Sequence, residues 1–248
     1  AVVILKLYGL NNFSATFKLS KLSSTNNAVI NLYAVWTANT NTAYTVKHYQ
    51  MSLDGTYPTT PTETENLTGT TDTKVTPEVK TYTGFTSPEA QEITISGDGT
   101  TVLAYLYTRN RYNFTIETND YVESNITSGE YFYGTEITLT ALDKPGYTFV
   151  KWSNDVTTNP YTFNLTGEVS LEAIFEANTN TAYKVIHKQM NLNGVGYTTF
   201  EEENLTGTTD TKVTPEVKTY DGFDSPSPIQ ITIKGDGTSE LIYLYTRN

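Results

Sequence analysis

An internal copy constrains this chain more than any other feature. The stretch from Glu65 to Tyr82 returns letter for letter as Glu203 to Tyr220, and Asn39 to Tyr44 returns as Asn178 to Tyr183. Both copies close on Leu-Tyr-Thr-Arg-Asn, at Asn110 and at Asn248. Self-similarity at a fixed spacing marks an array of repeated units, here of about 70 residues each. We label the copies A1 (39–110) and A2 (178–248). A different unit, B (111–177), lies between them, so the order is A, B, A rather than a continuous solenoid. Ahead of A1, Ile30 to Trp36 followed by Thr-Ala-Asn matches in style Leu171 to Phe175 followed by Glu-Ala-Asn. Residues 1–38 are therefore expected to form a partial or divergent B-like unit.

Only 37% of the 248 residues are hydrophobic, and these come in short bursts between Thr, Asn, Gly and Asp. Several small cores fit that pattern better than one large one. A net charge of −11 would repel a phosphate backbone, whose capture needs basic side chains, so nucleic acid is excluded as a partner. No run approaches the roughly 20 apolar residues of a membrane span, since Ala1 to Leu5 is broken at once by Lys6. A charged segment leading into an apolar run and a small-residue cleavage site is not seen either, so the natural N-terminus is expected to be processed or to lie outside this stretch. With no cysteine, the units must be held by cores and hydrogen bonds.

Alternation of apolar and polar residues reads as strand. In A1, Tyr44, Val46 and His48 share a face, as do Tyr183, Val185 and His187 in A2, and that face is expected to meet the core. Ile93 to Ile95 and Val102 to Tyr107 flank Asp98-Gly99, which predicts a hairpin, because Asp-Gly supplies the positive φ of tight turns. Ile231 to Ile233, Asp236-Gly237 and Leu241 to Tyr245 repeat that pattern. One short helical turn is expected in Thr73 to Lys80, where Thr76 can cap, Pro77 suits the first position and Glu78 favours the N-terminal dipole. In B, Tyr112 to Ile116, Glu136 to Thr140, Tyr147 to Phe149, Tyr161 to Phe163 and Ser170 to Phe175 all alternate, which predicts antiparallel sheet with one wet face. The fold class expected is mainly β, with α+β character only from that short helix.

Gly134 to Ala141, Pro145-Gly-Tyr-Thr-Phe149, Trp152-Ser153 and Leu171 to Phe175 together resemble the divergent form of the internalin-B-type B-repeat of bacterial surface proteins. Residues 1–28 lack the matching Gly-Tyr-x-Phe before Trp36, hence the partial or divergent reading there. The A copies carry Tyr-x-Val-x-His, Leu-Thr-Gly-Thr, a Gly-Phe and a final Tyr-Leu-Tyr strand. They are similar to mucin-binding-protein repeats, and the resemblance implies a β-grasp-like sheet with one short helix.

Candidates for chemistry are few. His48 and His187 occupy equivalent places, and packing explains them better than ligation, since no partners stand nearby in sequence. Asp98 and Asp236 lack the alternating oxygen ligands of a calcium loop and read as turn residues. Glu201-Glu202-Glu203, matched by Glu63 and Glu65 in A1, reads as a solvated loop. Trp36 and Trp152 could stack on a sugar but are expected in the small cores, which depend on a few aromatics. Lys74, Lys80, Lys212 and Lys218 recur and are candidates for Lys-to-Asn isopeptide crosslinks, which need a buried Lys, Asn and carboxylate together. Asn12, Asn66, Asn125, Asn164 and Asn204 fall in glycosylation sequons that a Thr- and Asn-rich chain produces by chance. No catalytic residue, metal ligand or cofactor site is assigned, and any binding residues stay unassigned among the 19 tyrosines.

The expected function is the non-enzymatic repeat region of a bacterial surface protein, extracellular and wall-attached or secreted. It would act as a semi-rigid stalk, an adhesive arm towards host glycoprotein, mucin or another surface protein, or both. The junctions Thr-Ala-Asn-Thr-Asn-Thr-Ala and Glu-Ala-Asn-Thr-Asn-Thr-Ala are short and lack the Gly/Ser run of a loose linker, which favours a semi-rigid rod, with neighbouring repeats of the chain among the expected partners. The alternative is a set of accessory modules in a large secreted glycan-active enzyme.

Overall fold

A computed structural model describes residues 37–117 and 119–248, so the reading of residues 1–38 as a B-like unit, and Trp36 with it, falls almost wholly outside the described residues. Those described residues are all-β, with no helix, and they bury three separate apolar clusters.

A1 contains β1 (Thr42–Gln50), β2 (Glu63–Gly69), β3 (Lys74–Val75), β4 (Phe85–Thr86), β5 (Ile93–Thr94) and β6 (Thr101–Arg109). The main sheet has the order β2-β1-β6-β4. Its central pair, β1 and β6, is parallel, and both flanking pairs are antiparallel. Alternation in β1 and β6 turns Tyr44, Val46, Leu103, Tyr105 and Tyr107 to one face, where Ile95 joins them. A2 repeats this in β15 (Thr181–Met190), β16 (Tyr197–Gly207), β17 (Lys212–Val213), β18 (Phe223–Asp224), β19 (Ile231–Thr232) and β20 (Ser239–Arg247), with sheet order β16-β15-β20-β18.

Between them lie β7 (Arg111–Ile116), β8 (Val122–Ser124), β9 (Gly129–Phe132), β10 (Glu136–Ala141), β11 (Tyr147–Trp152), β12 (Tyr161–Asn164), β13 (Val169–Leu171) and β14 (Ala173–Ala177). They form the sheets β12-β10-β8, β13-β7-β9 and β11-β14 around Phe114, Ile137, Leu139, Trp152 and Leu165, all with no exposed surface. The Trp152 indole N–H donates to Thr158 O at 3.1 Å, so even its polar edge is satisfied inside the core.

Three expectations are corrected. The Gly-rich turn does not join a hairpin: β5 pairs with β3, while β6 runs parallel to β1. The Asp98 carboxylate accepts from the Thr100 N–H and hydroxyl, and Thr101 Oγ1 takes the Ser96 N–H at 2.8 Å. Side chains thus occupy the groups that a hairpin ladder would have used first.

Nor is Thr73 to Lys80 helical. Lys74 and Val75 are strand, and the following backbone is held in extended form by two buried tyrosines. The Tyr105 hydroxyl donates to Pro77 O at 2.9 Å, and the Tyr107 hydroxyl accepts from the Lys80 N–H at 3.1 Å. Tyr243 with Pro215 O and Tyr245 with the Lys218 N–H do the same in A2. Groups that a helical turn would leave open are satisfied by the sheet instead.

B, finally, is not purely antiparallel, since β13 runs parallel to β7. The single strand expected over Ser170 to Phe175 divides at Glu172, whose backbone exchanges hydrogen bonds with Ser153, so the chain passes from one sheet partner to another.

Candidate functional site

Two arrangements gather side chains in ways that could serve function: a polar clasp inside each A copy, and the packed junctions on either side of B.

The clasp forms where the edge strand β2 faces the extended segment that follows β3. His48, fully buried, places Nδ1 2.8 Å from the Tyr107 hydroxyl and Nε2 3.8 Å from Glu65. Lys80 Nζ bridges Glu63 and Glu65, and the Tyr82 hydroxyl donates to Glu63 at 2.8 Å. In A2, His187 Nδ1 meets the Tyr245 hydroxyl at 2.8 Å and Nε2 meets Glu203 at 3.3 Å. Lys218 bridges Glu201 and Glu203, and the Tyr220 hydroxyl donates to Glu201 at 2.9 Å. Because each of Tyr107 and Tyr245 already accepts a backbone N–H, its own proton goes to histidine Nδ1. The network therefore makes Nδ1 of each imidazole the acceptor and turns Nε2 towards glutamate, within hydrogen-bond reach in A2 but without a partner in A1.

Electrostatics agree with a structural role. Burial, outweighing the nearby Glu65, pushes His48 below its ordinary range. Hydrogen bonds from Lys80 and Tyr82 hold Glu63 low, and Lys218 does the same for Glu201 and Glu203. Both lysines are raised by their paired carboxylates. A general acid needs a carboxyl raised above its partner, and here the shifted carboxylates move downward together. A nucleophilic lysine needs a neutral amine, whereas these are held as ammonium. The groups paired with Lys80 and Lys218 are carboxylates, Glu63 and Glu65 in A1 and Glu201 and Glu203 in A2. Lys74 is exposed and pairs with Glu92 at 2.6 Å, and Lys212 sits in β17 against β19.

The acidic cluster is thus misread as a loop: Glu201 to Glu203 lie in β16, paired with β15. Period-two alternation sends Glu201 and Glu203 to the clasp and Glu202 to Lys184 on the opposite face. Asp98 and Asp236 are turn residues, each capping a following threonine. Among the described residues, no group of three or more His, Cys, Asp or Glu side chains could hold a metal ion. No helix among them is long and apolar enough to cross a membrane.

The junctions were legible only as short linkers. Between A1 and B, Asn110 donates its N–H to Gly84 O at 2.9 Å and accepts from the Tyr133 N–H at 2.8 Å. Arg109 donates to Met51 O at 2.8 Å and to Tyr133 O at 2.9 Å, with its guanidinium 4.7 Å from the Phe85 ring centroid. Tyr133 projects from the tip of a turn closed by Gly134 at φ 84°. Its ring lies against Gly84 so closely that a Cβ there would clash with the nearest ring carbons.

Between B and A2, Asn178 donates to Gly146 O at 2.8 Å and accepts from the Thr209 N–H at 3.0 Å. Pro145-Gly146 forms the tip of a turn, with Gly146 at φ 76° and the Tyr147 N–H returning to Lys144 O. That tip presses onto the backbone of Gly235, where neither glycine has room for a side chain, and the Tyr147 hydroxyl donates to Asp210. The Pro-Gly-Tyr motif of B thus shapes a contact with its neighbour. A shared glycine position in both A copies was the available signal, but glycine alone does not distinguish a turn from a close approach.

No curated protein matches the chain. Among solved structures it is similar to the Bacillus anthracis TIE protein, at 10% sequence identity and a TM-score of 0.37, over 84% of this chain and 51% of that one. The chain thus spans about half the length of that protein. It is also similar to the shaft pilin SpaA of Lactobacillus rhamnosus GG, at 9% identity and a TM-score of 0.18, over 84% of this chain and 98% of the pilin. At these scores neither likeness carries an argument. The family comparison is sharper: residues 112–179, the stretch with Pro145-Gly146-Tyr147 and Trp152, match the divergent InlB B-repeat domain.

Proposed function

We propose that this chain is a non-enzymatic repeat region of a bacterial surface protein and serves as a semi-rigid extracellular stalk. The modules would be residues 39–110, 111–177 and 178–248, with boundaries at Asn110 and Ala177. One observation carries the reading: B is packed against both neighbours through glycine-lined contacts and backbone hydrogen bonds, rather than tethered by loose chain. Ordering a junction costs conformational entropy, so a region that only needed to tether would gain nothing from such packing. The match of residues 112–179 to the divergent InlB B-repeat domain supports the surface setting. A β-grasp-like, mucin-binding-protein-like reading of A1 and A2 draws on the parallel central pair flanked by antiparallel strands, with the tyrosine-held extended segment where a helix was expected.

A second reading, an adhesive arm towards host glycoprotein or mucin, is favoured by one feature. The outer sheet face exposes Val102 and Leu106 on β6 and Ile242 and Leu244 on β20, with Leu106 and Leu244 at equivalent positions in the two copies. Accessory modules of a secreted glycan-active enzyme would use the same geometry, and a catalytic domain in the full-length gene would select that alternative. Small-angle scattering of the chain, with mucin titrated into the same sample, tests the first two. A rod-like profile unchanged by mucin supports the stalk; saturable binding supports the arm; a profile of freely hinged beads contradicts the stalk.

A further inference from the structure

The two A copies share the surface on which B is seated, yet only A1 has it occupied among the described residues. We infer that the corresponding face of A2 is a preformed socket for the aromatic turn of another B-type module. This rests on the stalk reading above and extends it from two junctions to a repeating A–B contact.

The socket in A1 consists of Gly84, Phe85, Arg109, Asn110 and the loop at Met51, and its occupant is the Phe132-Tyr133-Gly134 turn of B. A2 carries the same parts in the same order: Gly222, Phe223, Arg247, Asn248 and Met190. They are already arranged. Gly222 has φ 79° against 82° for Gly84, and the Asn248 N–H donates to Gly222 O at 3.1 Å as Asn110 does to Gly84 O. The Arg247 guanidinium lies 4.7 Å from the Phe223 centroid, the distance of its A1 counterpart, and turns one nitrogen towards Met190 O at 3.4 Å.

Occupancy is the difference. A Cβ built on Gly84 would meet the Tyr133 ring, and one on Gly55 would come 3.6 Å from Phe132. At Gly222 and at Gly194 a Cβ would meet nothing within 4 Å among the described residues. Gly84 and Arg109 are half-buried, whereas Gly222 and Arg247 are exposed. Leu53 beside the A1 loop is 51% exposed and Leu192 in A2 is 88% exposed. An arginine held over a phenylalanine with donors unused, next to a glycine at positive φ, suits an aromatic ring whose backbone offers a carbonyl acceptor. Tyr133 supplies both in A1.

The test extends the full chain at its C-terminus with a second copy of residues 111–177 and reads the new junction by spin-label distance measurement. Labels at Thr68→Cys and Ser170→Cys report the A1–B junction. Labels at Thr206→Cys and at the appended counterpart of Ser170 report the A2 junction. The inference expects two narrow, superimposable distributions, and expects the second alone to broaden when the appended counterpart of Tyr133 is replaced by alanine. Melting of that variant, with the appended module's own transition retained, separates loss of docking from loss of folding. A narrow A1–B distribution beside a broad A2 distribution overturns the inference while leaving the stalk reading standing; two broad distributions sink both. Concentration-dependent doubling of mass in the unextended chain, abolished by Arg247→Ala, would assign the face to self-association and overturn the inference as well.

Discussion

A and B solve the same problem, a core for about 70 residues without disulfides, by different chemistry. B buries Phe, Trp, Leu, Ile and Val, and none of the buried polar residues identified lies within it. A1 and A2 bury His48 and His187, with tyrosine hydroxyls reaching proline carbonyls and lysine amides. The apolar core depends on shape and volume. The polar one also specifies the path of a segment that forms little regular structure of its own, since each buried hydroxyl has one place where it is satisfied. Stability in B should therefore respond to cavities, and stability in A to lost partners and to pH.

The largest effect expected is in B. Trp152→Ala should cost about 3–5 kcal/mol, the range for deleting a buried large aromatic, and thermal unfolding should lose the B transition while the A transitions persist. Next, Tyr107→Phe or Tyr245→Phe should cost about 1–3 kcal/mol, because a backbone N–H and an imidazole nitrogen are left buried without a partner. Denaturant melts of the variants would read it, and an effect near zero would mean that the clasp is incidental.

Acidification should then separate the two chemistries. His48 is depressed in the folded state, so the unfolded chain takes up the proton first, and A1 stability falls as pH drops below about 6.5 towards the lower folded value. Glu63, Glu201 and Glu203 are also depressed, so a further loss begins below about 4.5. Melting followed from pH 8 to 3 should show A1 declining in both windows and A2 in the lower one, while B, which has no such clasp, declines less. Equal decline in both would break the comparison. The smallest effect expected is at Lys74: its exposed pair with Glu92 is open to solvent screening, and Lys74→Ala should leave the melting temperature unchanged within error.

Strand positions and core faces were legible because alternation records which side of a sheet a residue occupies. The Tyr-Val-His face of β1 and most of the strands of B were read from that signal. Partner choice was not. Alternation is the same whether β6 pairs with β5 or with β1, and the side-chain bonds of Asp98 and Thr101 decide the matter locally. The helix expected at Pro77 failed because local propensity was outweighed by Tyr105 and Tyr107, which lie close only after the sheet forms. Glu201 to Glu203 looked like a solvated loop because nothing in the sequence places Lys218 opposite them. The junction contacts were hidden for the same reason, since Gly84 and Tyr133 meet across 49 positions of chain.

The central claim is that the two A copies are held at a set separation through B. Thr68 and Thr206 are exposed equivalents on β2 and β16, and a chain without cysteine allows spin labels at Thr68→Cys and Thr206→Cys alone. Pulsed electron resonance on the full chain should give one narrow distance distribution, which broadens on Gly146→Val, where the turn tip presses on Gly235. A broad distribution in the unaltered chain would contradict the account.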